Sequence, residues 1–456
     1  MRDISKYAWV GVILAASSAA MLAQQKATEA NLLVLHEFTG EPDGAYPGGS
    51  NAAVPGATLV SDASGALYGT TYSGGAADVG AVFQLMPPPV TGGSWTESVL
   101  YSFTGGADGE EPYGGLVLDA KGNLYGTTYY GGTYKPGCIY GCGVIFQLIR
   151  PAAPDGTWTE SVLYRFTGGS DGANPGSALV FDEKGALYGA GFSGGAAAAV
   201  CPGGLGQTPG CGVIFRLAPP PVAGGPWTYR VLYRFIGGAD GAIPFAGVTF
   251  HGAALYGITA LGGTANFGTI FQLAPRAAAG EWTETVLHTF TGGSDGAFPV
   301  SGVVFDRNGV LYGAAAYGGS SSPQCSGFYS GCGTVFQLMP SAVAGSWTFG
   351  VTFTFAEPVR GGEYPCCLVF SESGELYGAT EYGGDLGGYG VVFRLKPPAS
   401  QGGVWTQIVL QAFTSGHAIP DGLLFGQNHA LYGTTSGGFA TGQGTLGDGS
   451  VFQLTP

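Results

Sequence analysis

Gly115-Leu116-Val117-Leu118-Asp119, Asn123-Leu124-Tyr125-Gly126-Thr127-Thr128, Gly143-Val144-Ile145-Phe146-Gln147-Leu148 and Trp158-Thr159-Glu160-Ser161-Val162-Leu163-Tyr164-Arg165-Phe166 are four short runs that decide the fold. Each is rich in β-branched and aromatic residues and bounded by Gly, Pro or Asp, the composition of strands joined by tight turns. The unit recurs: Leu-Tyr-Gly begins at positions 67, 124, 187, 255, 311, 376 and 431, with the other runs around each copy in the same order. A repeat this long carrying four strands is a propeller blade, because solenoid coils are shorter. The expectation is an all-β fold, a seven-bladed β-propeller with four antiparallel strands per blade, named A to D from the innermost outwards.

The ends of the repeat register point to closure. The last copy supplies A (Leu423-Leu424-Phe425), B (Leu431-Tyr432-Gly433) and C (Ser450-Val451-Phe452-Gln453-Leu454), and no D. Leu32-Leu33-Val34-Leu35-His36-Glu37-Phe38 reads as a D strand without its A, B and C. Pairing the two completes the last blade with the N-terminal strand and removes an exposed edge. Residues 31–456 then form one propeller domain. Within D, simple alternation puts Trp158, Glu160, Val162, Tyr164 and Phe166 on one face.

Eighty-six glycines and 28 prolines fall in register with the aromatic residues, which argues for turns rather than low complexity. Charged residues make up 10% of the chain, and 30 acids against 16 Lys and Arg give a net charge of −14. With no basic stripe to displace counterions, the charge argues against nucleic acid and anionic lipid as partners and suits a cation, a neutral glycan or another protein. The start, Met1-Arg2-Asp3-Ile4-Ser5-Lys6, then an apolar run from Tyr7 to small residues at Ala20 and Ala23, predicts a signal peptide over 1–23. The competing reading is a membrane anchor, and small residues at the end of the run favour cleavage. The mature chain is expected to be exported (secreted, periplasmic or on the cell surface), monomeric and not inserted in a membrane.

Six of eight cysteines fall in pairs within single B–C loops: Cys138 with Cys142, Cys201 with Cys211, Cys325 with Cys332. In an exported chain these read as local disulfides, each worth roughly 2–3 kcal/mol by loop entropy. No grouped Cys/His spacing for zinc is present. Cys366 and Cys367 are adjacent, and a vicinal bond and a pair of thiols both stay open for them.

The D–A loops repeat Gly-Gly-[Ala/Ser]-Asp-Gly with Asp108, Asp171, Asp240 and Asp295, and Asp43 is a looser fifth. Inward carboxylates in a ring would suit calcium, but repetition in register favours a turn in which Asp bonds its own backbone. Tryptophans 95, 158, 227, 282, 347 and 405 all open D strands, which fits packing between blades better than sugar stacking. His36 and His288 stand where other blades carry Tyr101 and Tyr164, and read as packing substitutes.

Leu-Tyr-Gly-Thr-Thr-x-x-Gly-Gly followed by Gly-x-[Val/Ile]-Phe-x-Leu resembles the GloVer (Gloeo/Verruco) tandem repeat of exported bacterial proteins. Leu124 to Leu148 and Leu431 to Leu454 match it best, and Ala190, Ala314 and Ala379 depart from it at the first Thr. The resemblance implies an exported propeller and no settled activity, so no catalytic residue carries over from it.

Departures from the repeat mark the candidate ligand-binding residues: Glu110, Glu111 and Tyr113 in blade two, Arg360, Glu363 and Tyr364 in blade six, His417 in blade seven. Their loops should share one face with the stapled B–C loops. No catalytic constellation, metal set or cofactor motif is present beyond the calcium pattern. The favoured expectation is a non-enzymatic scaffold for a glycan or extracellular protein. The alternative is a carbohydrate-active enzyme, a glycoside hydrolase or lyase using funnel carboxylates as acid and base.

Overall fold

The computed structural model describes residues 30–47, 59–90, 92–153, 155–195, 201, 209–222, 224–276, 282–320, 322, 325, 330–341, 343, 345–384, 388–398, 403–413, 420–426, 429–436 and 447–455. Residues 1–23, where the signal peptide is expected, and His417 lie outside the described residues. Seven antiparallel sheets form the ring of a seven-bladed β-propeller. Blade two runs A Val117–Leu118, B Leu124–Thr128, C Val144–Ile149 and D Thr159–Arg165. Asn31–Glu37 is the D strand of blade seven, in register with the last strand from Asn31↔Thr455 to Glu37↔Ser450. Among the described residues no helix is long and apolar enough to cross a membrane.

The two repeat signatures are halves of one packing device. A Cβ on the Gly of Leu-Tyr-Gly would meet the strand C phenylalanine at 2.4–2.7 Å, as Gly69 meets Phe83 and Gly433 meets Phe452. The tip of that phenylalanine ring therefore fills the space a side chain would take at the glycine, and the ring is fully buried. The tyrosine hydroxyl donates to the A–B turn aspartate, Tyr68 to Asp62 at 2.9 Å and Tyr125 to Asp119 at 3.1 Å. Strand C glutamines donate back to it, Gln84 to Tyr68 at 2.8 Å and Gln147 to Tyr125 at 2.7 Å. A buried phenol oxygen is thus satisfied on both sides.

Three further contacts cross every or nearly every blade boundary. The phenylalanine ending each D strand meets the strand C phenylalanine of the next blade, from Phe38–Phe83 through Phe103–Phe146 to Phe413–Phe452, with centroids 5.0–5.4 Å apart. Each of the six tryptophans sits edge-on to a Leu-Tyr-Gly tyrosine of the preceding blade, such as Trp158 on Tyr68 and Trp95 on Tyr432. The glycine opening each strand C faces the next blade's loop proline so closely that a Cβ would lie 2.4–2.9 Å from its Cδ. This runs from Gly80 on Pro112 round to Gly449 on Pro47.

Strand D departs from simple alternation. Its register skips one residue in every blade, Leu163 in blade two, so that Val162 pairs with Phe146 but Tyr164 with Ile145. The same skip leaves out Leu35, Leu100, Leu232, Leu287, Thr352 and Leu410. This bulge turns the second half of the strand over, so Val162 and Tyr164 face opposite ways. Tyr164 is thereby free to reach Asp171 at 2.9 Å and to stack on Tyr229 of the next blade at 3.9 Å.

The three loop disulfides form as read, Cys138–Cys142, Cys201–Cys211 and Cys325–Cys332, and Cys366 is bonded to Cys367. Eight bonded cysteines indicate an oxidising environment.

Candidate functional site

The D–A loops enter the ring through one repeated device. In six of the seven blades the residue before the loop proline is a non-glycine held at φ between 53° and 60°: Tyr46, Glu111, Asn174, Ile243, Phe298 and Tyr364. Such a backbone is sparsely populated and persists only where neighbours fix it. Here the N–H of each donates across the blade boundary to the carbonyl just before the strand C glycine, Glu111 to Val79 and Tyr364 to Cys332 among them. The loops are pinned to the preceding B–C loop, so the two sets share one face and the residues flanking each proline line its centre.

The turn aspartates are engaged elsewhere. Asp108 accepts from Tyr101 Oη at 3.0 Å, Thr104 N at 2.9 Å and Thr104 Oγ1 at 2.6 Å. Asp171 repeats this with Tyr164 and Thr167, and Asp240 with Tyr233 and the Ile236 N–H. Asp295 and Asp43 take His288 and His36, each at 3.2 Å, in place of the tyrosine. None of the five lines the central cavity.

That cavity, of about 350 Å³, lies where blades five and six meet the ring centre. Phe298, Tyr317, Tyr364 and Tyr382 supply its aromatic wall, Val300 and Ala316 its apolar floor, and Glu363 and Glu381 its carboxyls. The aromatic wall continues as a belt. Tyr382 touches Tyr364, Tyr364 touches Tyr317, and Tyr317 touches Phe298, with centroids 5.2, 4.7 and 6.0 Å apart. Phe298 touches Phe245, Phe245 touches Phe192, Phe192 touches Tyr129, Tyr129 touches Tyr113, and Tyr113 touches Tyr72. Nine rings in contact thus circle six blades.

Carboxylates complete the circle. Glu381 and Asp421 are fully buried, and burial holds both well above the usual carboxylate range, Glu381 further raised by Asp421 beside it. Asp421 Oδ2 has no hydrogen-bond partner. Across the funnel, burial pushes Glu111 up to about 7, against a hydrogen bond from Tyr72 and with help from Glu110. Glu110 is raised by burial and by Asp108, and Glu363 by burial alone. A wall of rings with carboxyls beside it can stack on an apolar face and hydrogen-bond to hydroxyls at once.

Of the residues singled out from sequence, Glu363 and Tyr364 meet in the cavity, and Glu110, Glu111 and Tyr113 lie along the belt at blade two. Arg360 falls in a one-turn helix, Pro358–Gly361. Glu381, Asp421, Tyr317 and Tyr382 escaped the sequence reading. Their signal was there: five residues after Leu in Leu-Tyr-Gly the blades carry Tyr72, Tyr129, Phe192, Ala260, Ala316, Glu381 and Ser436, and one is charged. One residue after the loop proline, Asp421 is the single acid.

The profile described as the Gloeobacter/Verrucomicrobia repeat matches residues 17–201 and 140–324, together more than half of the chain. No curated protein matches the sequence. Among solved structures, a fungal alcohol oxidase in complex with copper aligns over 94% of this chain and 77% of its own, at 12% identity and a TM-score of 0.50. A gluconolactonase from Xanthomonas campestris aligns over 95% and 92%, at 13% identity and 0.39. A luciferin-regenerating enzyme aligns over 94% and 95%, at 11% identity and 0.41. At these identities the likeness is one of fold.

Proposed function

Since the chain belongs to the Gloeobacter/Verrucomicrobia repeat family, we propose that it is an exported propeller that binds a glycan in its central funnel. The observation that carries this reading is the belt of nine rings ending on the Glu363 and Glu381 carboxyls. Sugar rings present an apolar face and a rim of hydroxyls, and this wall offers a partner for each. Carboxyls accept from sugar hydroxyls, and the raised Glu363 and Glu381 groups suit an uncharged saccharide better than an anionic one. The bonded cysteines and the apolar N-terminal run fit export, and the ring-locked loops fit a rigid binding face. A protein partner on that face is the other form of this reading.

Calorimetric titration with a panel of neutral oligosaccharides tests it. Binding is expected for at least one, and Tyr364→Ala or Tyr317→Ala should weaken it about tenfold each. No binding across the panel would end the glycan reading.

The buried Glu381 and Asp421 pair favours a second reading, hydrolysis or elimination on the bound saccharide, with the two groups as acid and base. Mass spectrometry of soluble products separates the readings. Time-dependent oligosaccharide release, lost in Glu381→Gln, would establish the enzyme; intact saccharide retained by the protein leaves the binder.

A further inference from the structure

We propose that Cys366, Cys367 and Asp421 form a binding site for a thiophilic divalent cation of the zinc class, opened when the Cys366–Cys367 bond is reduced. The two sulfurs and one Asp421 oxygen lie within 4.8 Å of one another. Tetrahedral zinc with thiolates at about 2.3 Å and a carboxylate at about 2.0 Å holds its ligand atoms roughly 3.5–3.8 Å apart, a spacing the two sulfurs can reach once their bond is broken. Cys367 Sγ is already 3.7 Å from Asp421 Oδ1.

The fold explains why three ligating groups meet here. Cys366 and Asp421 each follow the loop proline of their blade, Pro365 and Pro420, so adjoining blades present them at the same level. At that level other blades carry Tyr113, Phe245 and Val300. Pairing confirms the placement, Cys366 opposite Ala379 and Asp421 opposite Thr434 on the neighbouring B strands. Asp421 stands 54 residues from Cys367, so spacing along the chain gives no hint of the set.

A second observation points to a cation. Asp421 Oδ2 is buried with no partner, and Glu381 beside it is buried too. The influences on Asp421 are burial and the Gly422 N–H, and those on Glu381 are burial and Asp421, with no cationic side chain among them. Buried carboxylates are ordinarily paired or bound to metal. A dithiol reductant gives up two hydrogens, becoming its own disulfide, and leaves Cys366 and Cys367 as thiols; the cation then displaces both thiol protons, and the proton of the Asp421 carboxyl, to solvent. The inference stands apart from glycan binding, since its test uses the metal alone.

The test is titration of the full protein with Co²⁺, before and after dithiol reduction and anaerobic removal of the reductant. Reduced protein should take up one Co²⁺ with thiolate-to-metal charge-transfer absorption that bonded protein lacks. Cys366→Ser/Cys367→Ser, which keeps the other six cysteines, should lose that absorption, and Asp421→Asn should weaken binding about tenfold or more. Reoxidation of the wild type should release the metal, which settles the matter even where a variant misfolds. Equal spectra and stoichiometry in wild type and the double serine variant would overturn the site, as would reduced wild type that binds no Co²⁺.

Discussion

Glu97, Glu160 and Glu284 occupy one position, two residues after the tryptophan that opens strand D, and each has a buried carboxyl oxygen with no partner. Burial pushes each up to about 7, with added repulsion from the preceding blade's turn acid, Asp43, Asp108 or Asp240. Two other blades show what the position does: Tyr229 donates to the Asp171 carbonyl at 2.5 Å, and Gln407 to the Gly361 carbonyl at 2.7 Å. A protonated glutamate can make the same bond and an ionised one cannot. Because the folded values lie above the ordinary 4.5, the folded chain holds more protons between about pH 4.5 and 7. Stability from these groups is present below that window and lost as pH rises through about 7. Solvent screening at half-buried sites limits it to about 1 kcal/mol each. The melting temperature should fall by a few degrees from about pH 5 to pH 8, and the triple Glu→Gln variant should flatten that slope, read by circular dichroism. An unaltered slope would assign the pH dependence to other groups. At this scale the sequence was only partly legible. Glu363 and Tyr364 stood out as departures within a loop, whereas Glu381 sits inside a well-formed strand B and betrays itself only when seven copies are aligned and the funnel position is known.

At the scale of the element, the contact between the glycine opening strand C and the next blade's proline governs how blades abut. Gly143 has φ of 86°, and a Cβ there would lie 2.4 Å from the Thr128 carbonyl oxygen and 2.6 Å from Pro175 Cδ. Gly143→Ala should cost about 2–4 kcal/mol, combining left-handed strain with overpacking at a boundary that cannot give. Gly92 is the control, with φ of 82° and nothing within 4 Å, so Gly92→Ala should cost only about 1–2 kcal/mol. Denaturant unfolding of both reads the difference, and equal losses would deny the boundary its role. Strand number, order and the three loop disulfides were legible because period, turn residues and cysteine spacing are local. The bulge in strand D was not, because an extra residue is defined only against its partner strand. Val162 and Tyr164 look like one face in sequence and are two.

For the whole molecule, closure rests on Asn31–Glu37 and on Phe38 packed against Phe83 across the seam. Removing residues 31–38 leaves the strand Ser450–Thr455 with an unpaired edge. The shortened protein should self-associate and resist proteolysis poorly, measured by size-exclusion chromatography and limited digestion; a stable monomer would show that the ring closes without this strand. This closure was the most legible global feature, because a missing D at one end and a spare D at the other require no geometry to notice. It also has a temporal meaning. On the export route proposed above, a chain threaded through a pore amino end first delivers Asn31–Glu37 before Ser450–Thr455, so the earlier strand must wait for its mate. Until then six blades form an open arc with two sticky rims, and the slowest event in maturation should be the joining of those rims. Quality control outside the pore would therefore meet this protein as an unclosed arc, and anything that shields the waiting strand would govern the yield.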